Sequence, residues 1–426
     1  MLKITESKEL KLTVLSLLFV SLALFASLFE QARTIVKYQD TSDFSAYFSA
    51  YTIKREFGSG IYNPQLFDDL EYEVPGNARE YLYSPVLAEF LSVVMPENYI
   101  SARLIWLLLE LSSIFLLIIL VSAMAEKNLG IKRQNSIITV GFAFIGASFI
   151  DRGLYYGQIS SLLACVFFGA IYLHYAKFPR LAAAIVGAIS LIKIYTVVYI
   201  VALLIQRKYV ESLFFCVGVS FVFLLSWACF GLDDWGDYLS FMHSGPLTER
   251  GLDVNTALQK LYEVPNYSPT SMLTLLSDQF GLGFTESQVW RLVLCLVFVV
   301  ALFVFFLKYK TLVTMPFFNL LALGITGIFL VSPLLWNHNF VYIFPFVLLI
   351  ALSRVNDDIT KFSGTYLLCL TSLFLINFPD FLTNLGALNV GVLVIFKYTK
   401  LFGILLAVPL FFRCHVISTM NREKRL

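Results

Sequence analysis

Charge is scarce in this chain. Only 14% of its 426 residues are Asp, Glu, Lys or Arg, while 58% are hydrophobic; a soluble domain carries about 25% charged residues. The shortage excludes an ordinary water-soluble domain. A net charge of +2 is too small to neutralise a nucleic-acid backbone, so no nucleic-acid partner is expected. The six cysteines (Cys165, Cys216, Cys229, Cys295, Cys369 and Cys414) lie almost wholly in apolar runs, without a Cys-x-x-Cys pair or clustered histidines. The usual grounds for a disulfide framework or a zinc site are therefore missing. Neither a Gly-x-x-x-x-Gly-Lys-Ser/Thr loop nor a dinucleotide glycine fingerprint occurs, which leaves a nucleotide-driven pump or a soluble-type nucleotide-sugar enzyme without support. The reading requires no cofactor and no metal.

What the chain has is long apolar runs. Lys3, Lys8 and Lys11 precede a run from Leu12 to Phe29 that lacks a clear small-x-small cleavage site, so it reads as an uncleaved first span rather than a secretory signal. With roughly 20 apolar residues needed per span, helices are expected near 12–31, 101–125, 135–151, 157–176, 180–192, 194–206, 209–231, 288–307, 311–332, 339–353, 360–377 and 389–412. The pair meeting at Lys193 is short. The stretch from Tyr83 to Met95, between Pro85 and Pro96, is read as a helix half-embedded in the interface. That choice places the basic segments Lys127–Arg133, Lys177–Arg180, Gln206–Lys208, Lys308–Lys310, Arg354–Lys361 and Arg413–Arg425 on one side, as the positive-inside tendency demands. The expected fold is an all-α polytopic membrane protein of about twelve spans, a single transmembrane domain over 1–426. Both termini are expected in the cytoplasm, in a cell inner membrane, with large outer loops at 32–100 and 232–287.

Under this topology Asp43, Asp151, Arg152, Gln158, Lys193, Asn337, His338 and Asn339 stand at the outer ends of spans. Ionisable groups near a bilayer are costly and mark either a functional site or a paired structural charge. Asp43 shares helical spacing with Tyr47, Ala50 and Tyr51; it suits proton transfer, and serves equally as a first-turn carboxylate. Lys54, Arg55 and Glu56 read as a solvated face. Lys193 interrupts an apolar run, either holding a phosphate or snorkelling to the interface. Gly157-Gln158 offers close approach and an amide for a sugar hydroxyl or phosphate oxygen. Arg152 beside Asp151 is a phosphate ligand or half of an ion pair. His338 either holds a phosphate or shuttles a proton, or sits as an interfacial histidine beside Trp336. His174 and His415 are treated as structural.

The motifs Asp43-Phe44-x-x-Tyr47, Gly60-Ile61-Tyr62-Asn63-Pro64, Tyr81-Leu82-Tyr83-Ser84-Pro85, Gly157-Gln158, Leu191-Ile192-Lys193-Ile194 and Val331-Ser332-Pro333-Leu334-Leu335-Trp336-Asn337-His338 follow one another in this order. Together they resemble glycosyltransferase family 87, over about residues 40 to 350. The resemblance implies a GT-C fold with interfacial helices in the first outer loop. It also implies a polyprenyl-phosphate-mannose donor, an inverting transfer to lipid-linked or glycan acceptors, and membrane lipids as surroundings. The family's outer-loop aspartate maps onto Asp43 as catalytic base, and its histidine onto His338. Beside these two, the reading takes Lys193, Gln158, Arg152, Tyr47, Tyr83 and Asn337 as substrate-binding residues. Asn337 and Asn339 flank the histidine where Asp, Glu or His is frequent, and Ile194-Tyr195 stands where the family's lysine motif ends in proline. These departures leave the sugar and the acceptor open. A transporter or flippase for a lipid-linked or anionic substrate is the alternative, with Lys193 and Arg152 as its binding charges.

Overall fold

A computed structural model describes residues 2–38, 43–63, 65–66, 81–243, 267–332, 335–357, 364–377 and 398–413. Asp68-Asp69, Pro333-Leu334, His415 and 244–266 of the expected second outer loop lie outside the described residues. Helices dominate what is described, and no β-strand occurs among the described residues. The chain forms two compact units with interleaved segments: Met1–Ile118, Ile150–Val197 and Val210–Gly251 in the first, and Ile119–Phe149, Val198–Tyr209 and Leu252–Leu426 in the second.

The first unit contains α1 (Leu2–Tyr38), α2 (Asp43–Phe57), α3 (Pro85–Val94) and most of α4 (Tyr99–Leu129). It continues with α6 (Ser148–Tyr156) from Ile150 onward, α7 (Ser160–Tyr175), α8 (Pro179–Ser190), α10 (Tyr209–Phe230) from Val210 onward and α11 (Asp233–His243); Ser148 and Phe149, which open α6, belong to the second unit. The second unit holds α5 (Arg133–Ile145), α9 (Val198–Ile205), α12 (Pro269–Gln279), α13 (Glu286–Thr314) and α14 (Phe317–Val331). A 3-10 turn at Asn337–Tyr342, α15 (Phe344–Asp357), α16 (Gly364–Ile376) and α17 (Thr399–Arg413) complete it.

Several of these helices face outward with apolar side chains. Leu213, Phe221 and Trp227 on α10 are exposed, as are Leu296, Phe298, Phe303 and Phe306 on α13. Such continuous apolar surface is not tolerated in water, and the chain is a membrane protein. Four helices among the described residues (within α1, and α4, α10 and α13) are long and apolar enough to cross a bilayer. Among the described residues the other expected spans are shorter or broken, and those expected at 360–377 and 389–412 begin outside the described residues. The run expected at 135–151 is two helices meeting at a 60° bend, because Gly146 caps α5 and Ala147 interrupts the ladder before α6 begins. Lys308–Lys310, expected as a loop, is helical and lies inside α13. At ten residues, about 15 Å long, α3 is too short to span. It buries Leu87, Glu89 and Leu91 while exposing Phe90, Val93 and Val94, which is the division an interfacial helix needs.

The segment between α1 and α4 is held from within. Lys54, expected on a solvated face, is instead buried and pairs with Asp234 of α11 at 2.6 Å. The other oxygen of Asp234 accepts the backbone N–H groups of Gly60 (2.8 Å) and Ile61 (3.3 Å). Arg55 is no solvated residue either: its guanidinium donates to the carbonyls of Ser92 and Met95 at the end of α3. Glu56 is exposed, as expected.

Candidate active site

The geometry begins with a glycine. Gly157 follows α6 at φ +69°, a left-handed conformation that side chains with a Cβ adopt at a cost. A Cβ here would also lie 2.8 Å from Phe44 Cβ and 3.0 Å from Arg103 Cζ. The absence of a side chain therefore lets α2 close on the turn that carries Gln158. The turn is fixed from α4 as well. Trp106 Nε1 donates to the Gly157 carbonyl at 2.8 Å, and Arg103 donates to the carbonyls of Leu154 (2.5 Å) and Tyr155 (3.3 Å). Arg103 is itself buried and pairs with Glu110 one face-repeat along α4, at 3.3 Å. The last carbonyls of α6, left without partners inside the helix, are thus satisfied by a buried cation.

Gln158, so positioned, is buried and joins three other residues. Its Nε2 donates to the Asp43 carboxylate. Its Oε1 accepts from Tyr83 Oη at 3.1 Å and from Tyr47 Oη at 3.4 Å, and the two phenols lie 3.1 Å apart. The amide has one orientation compatible with this set: a carboxylate requires the NH₂ side, and the phenols donate to the oxygen. Burial raises the Tyr47 phenol well above its ordinary value, with Tyr83 and Asp43 adding to the shift. Burial likewise raises Tyr83, against the opposing hydrogen bond from Tyr47. Both therefore remain neutral donors at any physiological pH.

Lys193 approaches the same group from the break between α8 and the 3-10 turn Ile194–Val197. The helix stops here because Ile189, Ile192, Ile194, Thr196 and Val197 crowd a β-branched run, and Ser190 Oγ turns back on the Gly187 carbonyl. The Lys193 ammonium donates to Ser160 Oγ at 2.7 Å and lies 5.9 Å from the Tyr83 ring centre and 5.4 Å from that of Tyr195. Asp43 is the charge that acts on it, and no ion pair to Lys193 occurs among the described residues. The two charged groups are half-buried, while Gln158, Ser160 and Tyr47 beneath them are buried. A carboxylate and an ammonium thus stand at an accessible surface, oriented by neutral donors below.

Asp43, Tyr47, Tyr83, Gln158 and Lys193 are brought into one group. Ser160 and Tyr195 belong to it as well; a hydroxyl and a phenol in apolar runs carry no sequence signal that separates them from helix-packing residues. Arg152 lies half-buried on α6, and its neighbour Asp151 is exposed and accepts from Gln31 at 3.3 Å. Asn337 and His338 belong to the second unit, where both are buried in the 3-10 turn. There the His338 ring meets that of Trp336 edge-on at 5.6 Å, and Asn337 Oδ1 accepts from Lys400 at 2.6 Å. No group of three or more His, Cys, Asp or Glu that could hold a metal occurs among the described residues.

The model of glycosyltransferase family 87 matches residues 81–333, more than half of the chain. The chain belongs to glycosyltransferase family 87. Its activity is accordingly that of a glycosyltransferase, acting on a sugar donor and an acceptor, and its helical membrane architecture fits the GT-C superfamily. Within the matched stretch lie Tyr83, Arg152, Gln158 and Lys193; Asp43, Tyr47, Asn337 and His338 lie outside it. No curated protein and no solved structure matches the chain.

Proposed function

We propose that this family 87 glycosyltransferase moves a sugar, mannose in the first instance, from a polyprenyl phosphate to a lipid-linked or glycan acceptor. The reaction takes place at the outer face of a cytoplasmic membrane. The observation that carries the reading is the Asp43–Gln158–Tyr47–Tyr83 group with Lys193 at its edge. In an inverting displacement the acceptor hydroxyl attacks the anomeric carbon as the bond to the phosphate oxygen breaks. The hydroxyl proton passes to a carboxylate, the electron pair of the broken bond leaves with the polyprenyl phosphate, and no nucleotide is needed.

Asp43 is the base in this scheme. The hydrogen bond from the Gln158 amide holds the carboxylate in one orientation. Lys193 is the cation for the departing phosphate, where fixed charge is worth most; Ser160, Tyr83 and Tyr195 orient its ammonium. Arg152 is assigned to substrate binding by its place in the sequence. His338 is assigned a catalytic part, and Asn337 a substrate-binding one, on the motif resemblance.

The test is transfer by the purified chain in liposomes, given radiolabelled polyprenyl-phosphate-mannose and a lipid acceptor. General-base catalysis is worth about 10²–10⁴-fold, so Asp43→Asn is expected to lower kcat by that factor with the donor still bound. Undiminished transfer by Asp43→Asn removes the base assignment. Transport of the lipid without sugar transfer by the wild type removes the enzymatic reading.

A further inference from the structure

The most costly charge in the second unit is one the reaction scheme does not use. Lys400, in the first turn of α17, is wholly buried. An ammonium withdrawn from water is expensive unless its surroundings replace the lost hydration. Here Asn337 Oδ1 accepts from Lys400 Nζ at 2.6 Å and Ser148 Oγ at 2.7 Å. The rings of Tyr267 and Phe340 present their faces to the ammonium at 5.3 and 5.9 Å; such faces attract a cation strongly once it is desolvated.

Four separate segments of the second unit therefore converge on one nitrogen: the first residue of α6, the segment just before α12, the 3-10 turn and α17. Two of these contacts fall on the turn that bears His338. That turn runs for six residues, Asn337–Tyr342, longer than the three or four that the poorer 3-10 hydrogen-bond geometry usually sustains. It is supported from outside. Tyr267 N–H donates to the Leu335 carbonyl at 2.7 Å, and the Tyr267 ring packs edge-on against Phe340. Lys400 grips the turn on either side of His338, at residues 337 and 340.

We propose that Lys400 is a positioning residue for sugar transfer: by holding the Asn337 side chain and the Phe340 ring, it sets where the His338 imidazole stands. The inference rests on the reading that His338 takes part in the reaction. It assigns no contact with substrate to Lys400 itself.

The test uses the full chain in lipid nanodiscs, with two readouts. Brief diethylpyrocarbonate treatment followed by peptide-resolved mass spectrometry reports how reachable the His338 ring is, without turnover; His174 on α7 serves as internal reference. Transfer kinetics with polyprenyl-phosphate-mannose report the catalytic consequence. In Lys400→Met, which keeps the apolar stem and loses the donor, His338 is expected to be modified at least about tenfold faster while His174 is unchanged, with kcat reduced and KM retained. Asn337→Leu removes the acceptor from the other side and is expected to reproduce the selective exposure of His338 and the fall in kcat, even if Lys400→Met does not fold; its KM also reflects the substrate-binding part given to Asn337. The double variant is expected to be no worse than either single one, since residues acting through one contact are not additive.

An unchanged His338 rate in both single variants overturns the proposal, as does a parallel rise at His174, which would mean general loosening. Selective exposure of His338 in a protein whose wild type transfers no sugar leaves Lys400 as the holder of the turn and overturns the transferase reading instead.

Discussion

At the scale of single residues, what distinguishes Asp43 is its partner. A first-turn carboxylate on an exposed helix is an ordinary capping device. Asp43 instead receives the amide of a buried glutamine whose other end is occupied by two phenols. Gln158→Glu tests that arrangement with a change of one functional group. It sets a second carboxylate against Asp43, and like charges at such range cannot both ionise freely. The base is then lost at a higher pH than in the wild type, so the acid limb of kcat/KM against pH moves upward. Full activity returns on the alkaline side. A profile superimposable on the wild type's would mean that Gln158 does not govern the base. Asp43, Tyr47, Tyr83, Gln158 and Lys193 were legible as a set because each stands in a short motif and the motifs recur in order. Lys54 was not legible. Its partner Asp234 is 180 positions away, and a Lys-Arg-Glu run at a helix end has no local mark of burial.

At the scale of elements, close glycine approaches and two buried ion pairs, Lys54–Asp234 and Arg103–Glu110, fix the first unit. Gly187 on α8 and Gly218 on α10 face each other's backbones: a Cβ on Gly187 would enter the Phe215 carbonyl, and one on Gly218 that of Ala184. Gly218→Ala is expected to destabilise by about 1–3 kcal/mol, the usual range for overpacking, seen as a lower melting temperature in detergent. Gly157→Ala carries strain of about 1–3 kcal/mol from its positive φ alone and displaces Gln158, so its activity should fall further than its melting temperature suggests. Equal loss on both measures would make Gly157 a purely structural position. Lys54→Met strands a buried carboxylate, with an expected cost of about 3–5 kcal/mol; pairing it with Asp234→Asn, which removes the charge and keeps an acceptor for the Gly60 and Ile61 N–H groups, should recover part of that stability. Helix existence was readable from the apolar runs. One helix break was readable too, at Lys193, where a charge divides the apolar run; the break at Gly146-Ala147 was not, since an average hydropathy carries no information on a missing backbone hydrogen bond.

At the scale of the whole molecule, the chain is a membrane glycosyltransferase whose outward-facing helices are apolar where a soluble protein's would be charged. Nitroxide labels at Phe221 and Phe306, introduced as single cysteines after replacement of the native ones, are expected to be more accessible to oxygen than to a polar relaxant. A label at Glu56 should show the reverse. Polar access at Phe221 and Phe306 would mean that α10 and α13 do not face lipid. The shortage of charge made the membrane class evident at once. The family was evident from motifs that stand on both sides of the matched stretch as well as inside it.

The turn carrying Gln158 is held through main-chain carbonyls, those of Leu154, Tyr155 and Gly157, by Arg103 and Trp106 of α4. Every amino acid supplies the same carbonyl, so the grip does not depend on which side chains stand at Tyr155 and Tyr156. Those two rings, half-buried and stacked edge-on at 5.1 Å, are positions that mutation can exchange without displacing the amide two residues on. A lineage can therefore alter these rings while the Gln158 amide stays in register.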